Sequence, residues 1–137
     1  MKVINHESYV SFEVAKLLKK LGFDWDTYNA YNKDGVFADK NRNLITWNHF
    51  SDYYSAPTLE VAQRWLREVK NIEIQIKYLY KGNPLDGILE YRWAICFTHP
   101  FPYKEFEANL NECQPTYEEA QEVGIKKALE LILEGGE

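Results

Sequence analysis

The clearest pattern of apolar and polar positions runs through residues 55–80, where a helical spacing passes directly into an alternating one. The first apolar series recurs every three or four residues, which predicts an amphipathic helix: Leu59, Ala62, Trp65, Leu66 and Val69. The second series recurs every two residues, which predicts a strand with one covered face: Ile72, Ile74, Ile76, Tyr78 and Tyr80, against Glu73, Gln75 and Lys77. We therefore expect this helix and this strand to share one core.

Capping residues mark the ends of the predicted helices. Thr58 stands before the central apolar series as an N-cap, and Asn71 can adopt the left-handed conformation that ends a helix. Ser11 and Thr116 open two further helical series, and a glutamate follows each of the three hydroxyl residues by two positions. These glutamates could converge on one ligand, but a first-turn acid is what a helix start favours, so we interpret them as structural.

The remaining patterns predict short strands and two more helices. Helices are expected at residues 11–21 and 117–133, and strands at residues 27–32, 36–38, 44–48, 72–80, 88–98 and 103–110. The predicted fold is α+β, with an antiparallel sheet of about five to six strands packed against three helices in the order α-β-β-β-α-β-β-β-α. A length of 137 residues predicts a single domain, 1–137, that contains an aromatic-rich segment (residues 23–54) and an α-β-β-β-α unit (residues 58–134).

The aromatic-rich segment has nine aromatic side chains in 32 residues, with asparagine, aspartate, glycine and lysine between them. Such rings either close a core from half-buried strands or stay exposed and stack on sugars, bases or peptide side chains. The core interpretation accounts for most of them. Six have polar neighbours and are the candidate binding residues that we expect to be partly exposed: Trp25, Tyr28, Tyr31, Trp47, Tyr53 and Tyr54.

The net charge of -5 lies at the carboxyl end of the chain. Residues 105–122 contain six acidic side chains and no basic one, which argues against contact with phosphates. From Thr58 onward the element order is similar to that of double-stranded RNA binding domains. That family places lysines at the start of its last helix, and Glu118 and Glu119 stand there instead, so we keep the topology as an analogy and predict no nucleic-acid partner.

Motifs that carry chemistry are lacking in the sequence. Cys96 and Cys113 have no Cys-x-x-Cys spacing, and there is no glycine-rich phosphate loop, nucleophile elbow or His-Glu-x-x-His motif. His49 with Asp52 is a weak candidate for a metal or acid/base pair that is better explained as a surface contact. With no secretory signal and no apolar run of about 20 residues, we expect a cytoplasmic, non-enzymatic protein without cofactor, metal or membrane contact.

Three segments carry a resemblance to a known group of proteins. Residues 11–23 (SFEVAKLLKKLGF), 55–67 (SAPTLEVAQRWLR) and 117–129 (YEEAQEVGIKKAL) are similar to a family of small uncharacterised proteins from gut bacteria, often associated with prophages or other mobile elements. The resemblance implies an accessory role in phage or element biology and supplies no activity, cofactor or catalytic residue.

These observations favour a non-enzymatic accessory or protein-binding domain. The alternative is a small-molecule or glycan binder that uses the aromatic-rich segment, and a third hypothesis is an enzyme that uses His49 and Asp52. The partner and the oligomeric state are not specified by any pattern in the sequence.

Overall fold

A computed structural model describes residues 2–4, 7–38, 44–98, 104–109 and 112–135. Within these residues lie, in chain order, β1 (Lys2–Ile4), β2 (Glu7–Tyr9), α1 (Phe12–Lys20), β3 (Ala30–Asn32), β4 (Phe37–Ala38), a 3-10 turn (Trp47–His49), β5 (Tyr53–Ser55), α2 (Leu59–Val69), β6 (Ile72–Lys81), β7 (Ile88–Phe97), β8 (Lys104–Glu107) and α3 (Tyr117–Glu134). The α+β class is confirmed. From α1 onward the predicted order α-β-β-β-α-β-β-β-α is also confirmed.

The predicted single sheet of about five to six strands is not found. In the described part of the chain the strands form a two-stranded ladder, β1-β2, and two three-stranded antiparallel sheets, β4-β3-β5 and β6-β7-β8. Each sheet joins strands that are close in sequence, as short connections favour. Alternation in the sequence indicates which face of a strand is covered, but it does not say which strands pair.

The third strand of the aromatic-rich segment lies later than predicted. Instead of a strand over residues 44–48, Ile45 forms an isolated bridge and the 3-10 turn follows, so the strand comes at Tyr53–Ser55. The side chain of Asn48 explains the shift, because its Oδ1 accepts from the Ser55 N–H at 2.8 Å and its backbone N–H donates to Ser55 Oγ at 3.0 Å. Residues 39–43, between the predicted strands at residues 36–38 and 44–48, lie outside the described residues.

The predicted helix boundaries are confirmed by their caps. The hydroxyls of Ser11, Thr58 and Thr116 each accept a hydrogen bond from the backbone N–H three residues later, at 3.1 to 3.2 Å. Asn71 has a φ of 58° and Gly22 a φ of 92°, which is the left-handed conformation expected just after a helix. Local sequence chemistry therefore determines where each helix begins and ends.

The chain divides into two compact units, Met1–Ala62 with Leu129–Glu137, and Gln63–Ala128. The division passes through α2 and α3, and the single-domain assignment stays a prediction. In the first unit α1 contacts β5, and the buried side chains surround the sheet β4-β3-β5. They include Val14, Leu18, Phe23, Tyr31 and Trp47.

The second unit is built on the long β6–β7 hairpin, whose ladder runs from Ile72↔Phe97 to Lys81↔Ile88. A Cβ at Gly124 of α3 would lie 2.8 Å from the Cβ of Trp93 and 3.3 Å from Ile74, so this glycine permits a close approach of α3 to the sheet. The covered face of β6 is shorter than its sequence predicts. Ile74 is 2% exposed, but Tyr78 is 75% exposed and Tyr80 47%, because α3 lies against the base of the hairpin and the strand continues beyond it.

Candidate binding surfaces

Two of the six candidate rings of the aromatic-rich segment are buried, so the expectation that they are partly exposed was wrong. Tyr31 is 5% exposed and its hydroxyl donates to the Val10 carbonyl at 2.6 Å. Trp47 is 8% exposed and its Nε1 donates to the Thr27 carbonyl at 2.9 Å. Each polar tip finds a backbone acceptor inside the unit, so polar neighbours in the sequence did not keep these rings at the surface.

The other four candidate rings are exposed or half-buried. Tyr28 and Tyr53 are exposed, while Trp25 and Tyr54 are half-buried. The fold brings Tyr53 to Trp47, with ring centroids 5.2 Å apart, and it brings Tyr54 opposite Tyr31 on β3–β5. The candidate set is therefore divided between packing and surface, and it does not form one continuous binding face.

Lys19 of α1 holds the loop that carries the exposed rings. Its Nζ donates to the carbonyls of Phe50 and Tyr53, each at 2.8 Å, and lies 4.8 Å from the ring centroid of Tyr54. Phe50 is 50% exposed and packs edge-on against Tyr53. A charged donor with two carbonyl acceptors fixes this loop more firmly than a neutral contact would.

A second surface, which the sequence did not suggest, lies at the end of the β6–β7 hairpin. We call it the hairpin end and define it by five exposed apolar or aromatic residues: Tyr78, Tyr80, Leu85, Ile88 and Leu89. Leu85 is 97% exposed and Ile88 66%. The strand register places Tyr78, Tyr80 and Leu89 on one face of the hairpin and Ile88, opposite Lys81, on the other, so exposed apolar side chains surround the end of the hairpin. Single exposed apolar side chains are ordinary, but a concentration of them marks a candidate contact site.

The turn chemistry of the hairpin end places Leu85 at its tip. The Asn83 Oδ1 accepts from the N–H groups of Leu85 and Asp86, both at 3.0 Å, which closes a tight turn. Leu85 stands between Asn83-Pro84 and Asp86-Gly87, where turns normally have polar residues. A leucine at a turn position was the signal that sequence reasoning could have used.

The outer face of the β6-β7-β8 sheet forms a shallow depression of about 520 Å³, and most of the residues that line it are charged or polar. Glu107 on β8 accepts from Lys77 at 3.1 Å and lies 3.3 Å from the Arg92 guanidinium. The hydrogen bond from Lys77, and then the charges of Lys77 and Arg92, lower the pKa of the Glu107 carboxyl. These side chains largely neutralise one another, so the face presents no single charge to a ligand.

Cys96 lies on the same outer face, between Glu73 on β6 and Glu105 on β8 in the strand register. Burial raises the pKa of its thiol, and the charges of Glu105 and Glu73 raise it further. A reactive cysteine needs the opposite environment, because the thiolate is the nucleophile. Cys96 therefore has the environment of a packed side chain and not that of a nucleophile.

Side chains suited to catalysis or metal binding are not grouped in the described ranges. Both His49 and Asp52 are exposed, and no hydrogen bond or ion pair links these two described side chains. Among the described residues, no group of three or more His, Cys, Asp or Glu residues could hold a metal ion. The geometry therefore gives the third hypothesis, an enzyme using His49 and Asp52, no support.

Comparison with protein families, with curated proteins and with solved structures finds no match for this chain. Within the described residues, no helix combines the length and the apolar character that crossing a membrane requires.

Proposed function

We propose that the protein is a non-enzymatic binding domain that contacts a protein partner through the hairpin end. The observation that carries this proposal is the exposure of Leu85 (97%), Tyr78 (75%) and Ile88 (66%) within one short stretch of chain. Burying such side chains against a partner gains about 25 cal/mol for each Å² of apolar surface removed from water. A hairpin that exposes this area in the isolated chain has a physical reason to bind.

A protein suits this surface better than a small molecule does. Ligand pockets are concave and surround most of the ligand, whereas the hairpin end is the tip of a two-stranded ladder. Aromatic and aliphatic side chains on a protruding element are instead the anchors of protein interfaces. The sequence resemblance supports an accessory role in phage or mobile-element biology, and we take the place of action to be the cytoplasm.

The test removes the apolar tip and leaves the ladder intact. A Leu85→Ser, Ile88→Ser double variant should lose at least about tenfold of the partner recovered from a bacterial lysate, because truncated anchors each cost more than 1 kcal/mol. Recovery is measured by quantitative mass spectrometry on tagged full-length chain. Thermal unfolding should stay within about 2 °C of the wild type, since exposed substitutions change stability little.

Val36→Ser is the matched control, because Val36 is also an apolar residue that is 60% exposed but lies outside the hairpin end. It should recover the same partner as the wild type. Equal recovery with the double variant and the wild type would contradict the proposal, and so would equal loss with Val36→Ser.

The alternative function is binding of a small molecule or glycan, and the exposed rings that could serve it form a smaller site than the sequence suggested. Of the exposed rings, Phe50 and Tyr53 form one edge-on pair next to Trp47, with centroids 6.2 and 5.2 Å from the Trp47 ring. Exposed rings beside polar groups can stack on sugar faces. This arrangement supports a shallow contact at the loop that Lys19 holds.

Trp47 makes this alternative testable, because a ligand that stacks on Phe50 or Tyr53 must change the surroundings of its indole. A glycan and metabolite screen should show tryptophan fluorescence changes that Trp47→Phe removes. A screen in which no compound changes the emission of the wild type would contradict the alternative and leave the hairpin proposal unaffected.

A further inference from the structure

The hydrogen bonds of β7 show which backbone N–H and C=O groups of β6 face away from β7. Tyr91 exchanges hydrogen bonds with Gln114 at 2.8 and 2.7 Å, and the Trp93 carbonyl accepts from Ala108 at 3.1 Å. These β7 residues therefore turn their backbone groups away from β6. In an antiparallel ladder the groups alternate, so the residues paired with them on β6 turn outward as well.

The outward groups of β6 belong to Ile72, Ile74, Ile76, Tyr78 and Tyr80. Gln63 occupies this edge at its base, because its Nε2 donates to the Ile74 carbonyl at 2.7 Å. Beyond that point, β6 is the outer strand of its sheet in the described part of the chain. The N–H and C=O groups of Ile76, Tyr78 and Tyr80 therefore form an open strand edge, of the kind to which another strand can pair.

We propose that this open edge pairs with the same edge of a second copy, in antiparallel register about a two-fold axis at Tyr78. The inference rests on the proposed function in taking the hairpin end as a protein-contact surface, and it adds a contact with a second molecule of this chain along the edge of β6. Tyr78 pairs with its own copy, and Ile76 pairs with Tyr80 of the second copy. Three pairs of outward residues exchange about two hydrogen bonds each.

The positions of the lysines select this register. With the axis at Tyr78, Lys77 lies opposite Leu79 of the second copy, and Gln75 lies opposite Lys81. Moving the axis one residue toward the base places Lys77 against Lys77. Moving it one residue toward the tip places Lys77 against Lys81. Lys77 is paired with Glu107 and Lys81 with Glu90, which reduces the repulsion, but like charges directly opposite one another still destabilise a strand pair. The lysines therefore favour the register about Tyr78, which sets neither lysine against another.

The side chains on the helix-covered face also match in this register. Tyr78 is 75% exposed and Tyr80 47%, while Ile76 is half-buried. The pairing sets Tyr78 against Tyr78 and each Ile76 against a Tyr80, and aromatic–aromatic and aromatic–β-branched neighbours are favourable pairs across strands. A strand pair alone is smaller than a standard interface, so we expect association in the range of about 10 to 500 µM.

The first test measures association and its location together. Sedimentation velocity on the full chain, from about 5 to about 500 µM, should show the 16.2 kDa species shifting toward twice that mass. Over the same range, NMR-detected hydrogen exchange should slow at the amides of Ile76, Tyr78 and Tyr80. The amides of Lys77 and Leu79 already face β7, so their exchange should not change.

The second test uses the residue on the axis. Tyr78→Lys places two lysines directly opposite each other and should weaken association at least about tenfold. Tyr78→Thr is the matched control, because it removes the ring but keeps strand preference and adds no charge. It should weaken association only about threefold. Equal weakening by both variants would overturn the assigned axis.

The third test uses Gln75, which is exposed and should lie opposite Lys81 of the second copy. Gln75→Glu creates two ion pairs across the axis and should tighten association about threefold at low salt, whereas Gln75→Lys should weaken it about threefold. A change in the same direction for both variants would exclude this register. A single 16.2 kDa species at every concentration would overturn the proposal altogether.

These outcomes separate the inference from the proposed function. The Leu85→Ser, Ile88→Ser variant lies outside the paired residues, so it should dimerise like the wild type even when it loses its lysate partner. A chain that stays monomeric but loses the partner with that variant would contradict self-pairing alone. A chain that dimerises but captures no partner through Leu85 and Ile88 would leave the edge pairing as the protein contact of the hairpin end.

Discussion

In the aromatic-rich segment and at the hairpin end, the burial of aromatic side chains is the reverse of what the sequence predicts. In the segment, Tyr31 and Trp47 have polar neighbours and yet are buried, with their polar atoms bonded to backbone carbonyls. In the hairpin, Tyr78 and Tyr80 belong to a regular alternating strand with an apolar face and yet are exposed. The same residue type is core in one region and surface in the other.

The difference teaches that burial of a ring depends on what covers it and not on its neighbours in the sequence. Around Trp47 the chain folds back on itself, so that Phe50, Tyr53 and the Thr27 carbonyl surround one indole. Along β6, the strand runs past the point where Gly124 of α3 meets the sheet. The alternation of apolar and polar residues continues along the whole strand, but α3 covers only part of it.

The largest effect that sharpens this comparison should come from truncating one ring in each region. Trp47→Ala removes a buried indole, its hydrogen bond to Thr27 and its contacts with two rings, so it should lower the free energy of unfolding by about 3–5 kcal/mol. Tyr78→Ala removes a ring that is 75% exposed and should change it by less than about 1 kcal/mol. Urea unfolding followed by circular dichroism measures both, and similar losses in the two variants would break the comparison.

Most of the fold could be predicted because it depends on short-range chemistry. The caps at Ser11, Thr58 and Thr116 and the left-handed Asn71 are specified by one or two neighbouring residues, and each was found where it was expected. The third strand of the aromatic-rich segment was misplaced because Asn48 bonds Ser55 seven residues later. Such a side-chain contact takes the place of a strand pairing, and it produces no alternation of apolar and polar residues that could reveal it in the sequence.

Much less of the candidate site could be predicted, because exposure is a tertiary property. The sequence singled out Tyr28 and Tyr53, which are exposed, together with Tyr31 and Trp47, which are not. It gave no weight to Leu85, whose position in the Asn83 turn decides its exposure. Periodicity describes one element at a time, whereas a surface is what remains after all the elements have packed.

A smaller effect concerns the hydroxyl groups of two tyrosines, one in each region. Tyr31→Phe leaves the buried Val10 carbonyl without the donor that now lies 2.6 Å away, so it should cost about 1–2 kcal/mol of stability. Tyr80→Phe removes a hydroxyl that reaches the exposed Pro84 carbonyl at 3.4 Å, and water replaces that contact. Its cost should be close to zero in urea unfolding. A larger loss for Tyr80→Phe than for Tyr31→Phe would contradict the assignment of core and surface.

The smallest expected effect is a change of stability at low pH, because different interactions stabilise the two regions. The aromatic-rich segment depends on bonds to backbone carbonyls, which do not titrate, whereas the sheet behind the hairpin end contains the Glu107 ion pairs with Lys77 and Arg92. The hydrogen bond from Lys77 lowers the pKa of Glu107 below its ordinary 4.5. A lowered carboxyl pKa stabilises the fold above the unfolded value, and that contribution is lost as the pH falls through the folded value.

Glu107→Gln should therefore be less stable than the wild type at about pH 7, and the difference should disappear as the pH falls below the folded pKa of Glu107, where the carboxyl is protonated in both states. The difference between their urea midpoints isolates this group, since the other carboxylates titrate alike in the two proteins. Glu105→Gln is the matched control, because Glu105 lies two residues earlier on β8 and forms no ion pair with a described residue. A midpoint difference for Glu107→Gln that stays constant with pH would show that the ion pairs of the outer face do not contribute to stability.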